Sequence, residues 1–205
     1  MRRGIATACN TIYWLALTVW VGALIAAGTA AAATFRILPS MDLILPRFRA
    51  FPGDEHGRIA AGMVMEPLFT FVDVVQIAAA AIVVTMVAIQ WLLLEDGRRR
   101  LLNLLRVACV LLAAALLAYR AVAVTPDMNR DLRAYWAAAE AGDVEVAAAH
   151  RADFDAAHGG ASDLFAATLA LLVAAVLASP AALEGRARPR SGKMATLTPS
   201  RGGKG

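Results

Sequence analysis

Four long stretches of the chain carry almost no charge, and the charged residues gather in the segments between them. The first stretch runs from Ile12 to Phe35. The second, Val74 to Leu94, has only Gln76, Thr85 and Gln90 as polar side chains. The third covers Leu101 to Val124 and admits Arg106 and Arg120, and the fourth runs from Leu164 to Leu183. Each is long enough for a helix to cross a hydrocarbon core, which takes about 20 residues. The period-two alternation of a barrel strand is absent. Inside lipid, only a helix or a closed barrel satisfies its own backbone hydrogen bonds. The pattern therefore predicts an all-α membrane protein: a four-transmembrane-helix bundle over residues 1–184, with spans at about 12–35, 72–94, 101–124 and 162–183. Residues 185–205, rich in Gly, Pro, Ser and basic side chains, are expected to form a disordered cytoplasmic tail.

Between the spans, proline and glycine set the punctuation. Pro39, Pro46, Pro52 and Gly53 predict an irregular first outer loop, with an amphipathic piece around Leu43–Phe51 lying at the interface. Ile59 to Phe71 is apolar enough to extend the second helix outward, and Pro67 is expected to end or kink it. In the second outer loop Leu132, Tyr135, Trp136 and Ala139 fall near helical spacing, and Gly159-Gly160 is expected to break any helix running into the fourth span. The short Glu95–Arg100 turn makes the second and third helices antiparallel neighbours.

Composition agrees with this pattern. The apolar fraction is 60% and the charged fraction 18%, against roughly 45–50% and 25% in soluble domains. The net charge of +4 is owed to the tail, so a nucleic-acid surface is not expected and the partner is the lipid bilayer. Lys and Arg are denser on the side holding Arg2, Arg3, Arg98–Arg100 and the tail, so both termini are expected inside, in a bacterial inner membrane. Trp14, Trp91, Tyr119, Tyr135 and Trp136 are expected as interfacial aromatics. Arg2 and Arg3 before an apolar run and Ala31-Ala32-Ala33 also resemble a cleavable signal, but the run exceeds the usual signal core, which favours a retained helix. Cys9 and Cys109 have no CxxC partner and predict neither a disulfide framework nor a metal knuckle. Gly22, Ala26 and Ala30 form a small-residue row that allows close helix contact without establishing a homo-oligomer, and any membrane-complex partner is left unnamed.

Charges at membrane depth are expensive and mark function or a structural lock. Counted from the middle of the Glu95–Arg100 turn, Asp73 and Arg120 differ in height by only about 3 Å at a helical rise near 1.5 Å. Gln76 lies one turn inward of Asp73, and His158 and Asp163 bracket the outer start of the fourth span. The expected site is a polar cluster of Asp73, Gln76, Arg120, His158 and Asp163 at the outer end of the bundle. Either it binds a cation or small polar solute, or Asp73 and Arg120 only lock the helices together, or these charges simply snorkel to the headgroups. Glu66, seven residues before Asp73, shares its helix face unless Pro67 redirects the chain. With His56, Met63 and Met65 it makes a weak set of metal-ligand candidates. Arg106 is expected to anchor at the inner interface. No phosphate-cradling Gly-rich loop, HExxH pair or GxSxG elbow is present. No histidine sits deep enough to hold haem, so no catalytic residue and no cofactor is expected.

Three motifs carry a resemblance. Ala33-Thr34-Phe35-Arg36-Ile37-Leu38-Pro39 resembles the FRxLP end of the first helix in the transmembrane protein 205-like family, a bacterial membrane domain of unknown function. Thr125-Pro126, expected to close the third helix and followed by Met128 and Leu132, is a second landmark. Phe154 with His158-Gly159 and Ser162 is similar to the family's FxxxHGxS, with one residue inserted before the serine. The resemblance spans about Tyr13 to Ser179 and implies a four-helix membrane domain of unestablished activity. The metal-drug tolerance linked to eukaryotic members implies transport, with His158, Phe35, Pro39 and Pro126 as marked positions. The leading expectation is a multi-pass, non-enzymatic protein that transports or handles a metal ion or small polar solute. The alternative is a non-catalytic scaffold or accessory subunit.

Overall fold

The computed structural model describes residues 2–94 and 100–184. The Glu95–Arg100 turn, apart from the helical backbone of Arg100, and the basic tail from residue 185 lie outside the described residues. Every long element is a helix: α1 (Arg2–Ile37), α2 (His56–Leu94), α3 (Arg100–Tyr119), α4 (Thr125–Ala141) and α5 (Val144–Glu184). A π turn, Arg120–Val124, joins α3 to α4 without a break. Four helical segments are long and apolar enough to cross a membrane. Helices α1, α2 and α5 have 36, 39 and 41 residues. At 1.5 Å per residue such rods approach 60 Å, about twice the thickness of a hydrocarbon core.

That excess length revises three expectations. Gly159-Gly160 does not interrupt α5, which runs from Val144 to Glu184. Two helical glycines cost about 1 kcal/mol each relative to Ala, and packing of α5 along both α3 and α4 outweighs that. Pro67 does not end α2. It lies on the exposed side, as does Met63, whose carbonyl loses its donor there. Thr125-Pro126 does not close the third helix either. Pro126 has no N–H for the carbonyl four residues back, so the turn widens, and Thr125 N–H donates to the Arg120 carbonyl five residues back. The chain stays helical and passes into α4.

The helices pair as α1 with α2 and as α3 and α4 with α5, with much thinner contact between the pairs. Two packed cores result. The inner one, named for the expected N-in topology, gathers Tyr13, Leu17, Trp20 and Leu24 with Val83, Val110, Leu117 and Leu172, all essentially buried. At its inner edge Tyr13 and Ser179 hydroxyls lie 3.1 Å apart, and the Arg106 guanidinium sits 5.1 Å over the Tyr13 ring. Arg106 is thus turned into the bundle, not out to an interface, with 2% of its surface exposed. The small row of α1 is not a packed seam within the chain: Gly22 and Ala26 are exposed. Both cysteines are free and buried.

The outer core joins Phe48, Phe51 and Ile59 to Tyr135, Ala139 and Ala147. Phe48 and Phe51 come from the irregular first loop and plug into protein, whereas Ile44 of the same segment is exposed. Tyr135 is likewise buried, and Trp136 packs over Gly62, 3.2 Å from where a Cβ would stand. Both side chains thus turn toward protein. The connection from α4 to α5 takes two residues. Gly142, at φ 75°, caps α4 in the left-handed region that glycine adopts freely. Asp143 then accepts the Val146 N–H at 3.1 Å and starts α5.

Candidate functional site

On each rod the side chains between the two cores line a common cavity. Its volume is about 600 Å³, within the range of small-molecule sites. Helix α1 offers Gly28, Ala31 and Phe35, and α2 offers a face from Arg58 through Met65, Glu66 and Phe69 to Asp73. Arg120 from the π turn and Met128, Leu132 and Trp136 from α4 form the opposite wall, and α5 adds Phe154, His158, Ser162 and Phe165. The void exists because these positions mix small and large side chains at i, i+3, i+4 and i+7, so the rods cannot close on one another there.

Asp73 and Arg120 meet, as the helix heights require. Arg120 donates through Nη2 to Asp73 Oδ1, with side-chain exposures of 10% and 17%. Gln76 Nε2 donates to the same oxygen at 3.3 Å, and the Arg120 guanidinium lies 5.6 Å from the Phe165 ring centroid. The π turn buries Arg120 in this position by rotating α3 relative to α4. Glu66 does share the Asp73 face. It accepts from Arg133 Nη2 at 2.9 Å and Nε at 3.3 Å, tying α2 to α4.

Two expected members stand apart from the pair. His158 lines the cavity but is exposed and stacks on Phe154, with ring centroids 5.3 Å apart. Asp163 is exposed and is not part of the lining. Because α5 is continuous, Asp163 points about 100° away from Ser162, which does line it. The expected cluster therefore reduces to Asp73, Gln76 and Arg120, with His158 at the rim.

The metal-ligand candidates do not converge. His56 is buried and engaged by backbone: Leu45 N–H donates to Nδ1 at 3.1 Å, and Nε2 faces the Phe48 and Phe51 carbonyls at 2.8 and 3.2 Å. Met63 is exposed, Met65 is buried in the cavity wall, and Glu66 is held by Arg133. Among the described residues no three His, Cys, Asp or Glu side chains form a group that could hold a metal ion.

The aromatic wall went unread in the sequence. Phe69, Trp136 and Phe165, together with Arg58 and Arg151, belong to stripes in which charged and apolar residues alternate along one helix face. Arg151, Phe154, Asp155, His158, Ser162 and Phe165 form such a stripe on α5, and its mixture was the available signal. Toward the outside, Arg151 bonds Glu55 at 2.8 Å and approaches Asp155 at 3.7 Å. A shallower pocket of about 430 Å³ lies beyond, sharing Tyr135, Arg151 and Asp155 with the cavity wall.

The Tyr135 hydroxyl is buried with no hydrogen-bond partner among the described residues. Burial first, then the negative charges of Glu55 and Asp155, pushes its pKa up to about 12 from the ordinary 10.0. A raised folded-state pKa means its contribution to stability is complete below pH 10 and fades as pH climbs toward 12. Thermal melts across pH 9–12 should therefore show an alkaline loss that Tyr135→Phe flattens. An unchanged slope in the variant would place that loss elsewhere.

No family model matches the chain, and neither does any curated protein or solved structure.

Proposed function

We propose that this chain is a multi-pass membrane protein that binds a small amphipathic solute in its outer cavity, as a carrier or handling protein and not as an enzyme. The observation behind this reading is the cavity itself, an aromatic and aliphatic chamber of about 600 Å³ with an ion pair in its wall. Apolar walls with a few fixed polar groups suit an organic molecule with a polar end. They suit a bare metal ion poorly, since an ion needs several converging ligands. The arginine-rich termini and Arg98–Arg100 support N-in and C-in insertion in a cell inner membrane. The same reading carries the kinship with the transmembrane protein 205-like family as a proposal, resting on the Phe35–Pro39, Thr125-Pro126 and Phe154–Ser162 motifs.

One observation favours the scaffold alternative: Asp73 and Arg120 satisfy each other without a ligand. A thermal-shift panel of purified protein separates the two. Under the binding reading, amphipathic organic molecules raise the melting temperature, by the equivalent of about 2.7 kcal/mol at a hundredfold excess over Kd. Divalent and monovalent metal ions leave it unmoved. A panel in which no amphiphile shifts the melt would favour the scaffold, and a shift confined to metal ions would restore ion handling.

A further inference from the structure

Packed side chains wall the cavity on several sides. The outer core caps it, with Ile59, Tyr135 and Ala147 buried above it. The wall toward the shallower outer pocket is fastened by Arg151, which is held by Glu55 and Asp155. Below lies the inner core, and Gly62 against Trp136 closes the α2–α4 side. The remaining side lies between α1 and α5, which touch only sparsely. Gly28 and Phe35 on α1 and His158 and Ser162 on α5 all line the cavity and are all exposed. A Cβ added at Gly28 would meet nothing within 4 Å, so this glycine serves no close helix contact and leaves open space.

The height of that opening matters. Phe35 ends the first apolar run, Ser162 precedes the fourth, Asp73 bounds the second, and Arg120 lies about one turn inside the end of the third, so all four stand near headgroup level on the proposed topology. Gly28 lies seven residues below Phe35, about 10 Å deeper at helical rise, which is among the acyl chains. The opening thus faces lipid, while the aromatic volume between Phe69, Trp136 and Phe154 rises above the bilayer plane. A cavity wall that is apolar yet lies beyond the hydrocarbon has a use if it shelters a chain lifted out of it. Its ionic lining is balanced, with Arg58, Arg120 and Arg151 against Glu66, Asp73 and Asp155. Balanced charge suits a head that carries both signs better than it suits an anion.

We propose that the cavity takes a single-chain zwitterionic amphiphile from the outer leaflet. The molecule passes sideways between α1 and α5, its head stays level with His158 and the Asp73–Arg120 pair, and its chain lies against the aromatic wall. This rests on the binding function proposed above and names its ligand class and route.

The test uses full-length protein in phosphatidylcholine nanodiscs and lysophosphatidylcholine with a brominated chain, which quenches tryptophan on contact. The signal assigned to Trp136 is the quenching lost in Trp136→Phe, since Trp14, Trp20 and Trp91 are common to both proteins. Saturable quenching of Trp136 is expected, and Gly28→Phe and Ser162→Phe, which fill the opening, should each weaken it at least tenfold. Circular dichroism and thermal melts establish that these variants fold, as the open space at Gly28 implies. A short-chain, water-soluble analogue with the same head distinguishes the routes. If it quenches Trp136 equally in the wild type and both filled variants, the site fills from water, and lateral access is overturned while the binding function stands. If a brominated fatty acid quenches and the lysophospholipid does not, the zwitterionic head is wrong. If no probe reaches Trp136, the ligand class and the binding function fall together.

Discussion

Asp73→Asn should lower the stability of the purified protein by about 3–5 kcal/mol, the usual result of removing one partner from a buried ion pair. In a chain of this size that corresponds to a melting-temperature drop of roughly 6–20 °C. The loss arises on the other side of the pair. Asn still accepts from Gln76 and Arg120, but the guanidinium, 10% exposed, keeps its charge with nothing to balance it except the Phe165 face. Replacing both partners should reverse most of the loss. Asp73→Leu with Arg120→Met removes two desolvation penalties as well as one attraction, and such swaps are often neutral or stabilising. The double variant then separates structure from function. If it melts like the wild type and no longer binds amphiphiles, the pair belongs to the ligand site. If it melts like the wild type and still binds them, the pair is a lock. Failure of the double swap to recover stability would mean that the pair is not the unit holding α2 against the π turn.

The Asp73–Arg120 contact was legible because it needs only counting. Two helices joined by a short turn run side by side, and residues equidistant from that turn share a height. Glu66 was legible for a similar reason, since seven residues return a helix to the same face. What escaped was everything that depends on where the rods stop. Hydropathy registers the membrane-length part of each helix and falls silent when charge returns at Arg130, Asp131 and Arg151, although the helix does not stop there. The glycines at 159 and 160 and the prolines at 67 and 126 carry strong local preferences against helix. Each was overruled by packing along a neighbouring rod, or absorbed by a widened turn. Asp163 was misplaced for the same reason: with α5 broken it could face the bundle, and with α5 continuous it cannot. The cavity was beyond sequence reading, because a void is defined by what four helices fail to fill.

The irregular turns from Leu45 to Phe51, between α1 and α2, hang on one side chain, so His56→Ala should be the other costly substitution. His56 has 2% of its surface exposed. Its Nδ1 accepts from Leu45 N–H, which leaves the proton on Nε2 to be shared between the Phe48 and Phe51 carbonyls. Alanine would leave the Leu45 N–H and the Phe51 carbonyl without this partner, each worth about 1–3 kcal/mol when unmet, while the Phe48 carbonyl keeps the Phe51 N–H at 2.9 Å. Phe48 and Phe51, buried in the outer core by those turns, would loosen with them. A loss of about 3 kcal/mol or more is expected, together with faster protease cleavage between residues 41 and 55. Gly57→Ala should act in the same direction, because its Cβ would stand 2.5 Å from the Leu38 carbonyl oxygen and 2.6 Å from Pro39 Cα, both backbone atoms that cannot turn aside. Chelators should leave the wild-type melt unchanged, since both ring nitrogens of His56 are already committed to the backbone. If EDTA lowered the wild-type melting temperature and His56→Ala abolished that sensitivity, this histidine would be a metal ligand and the backbone staple would be the wrong account of it.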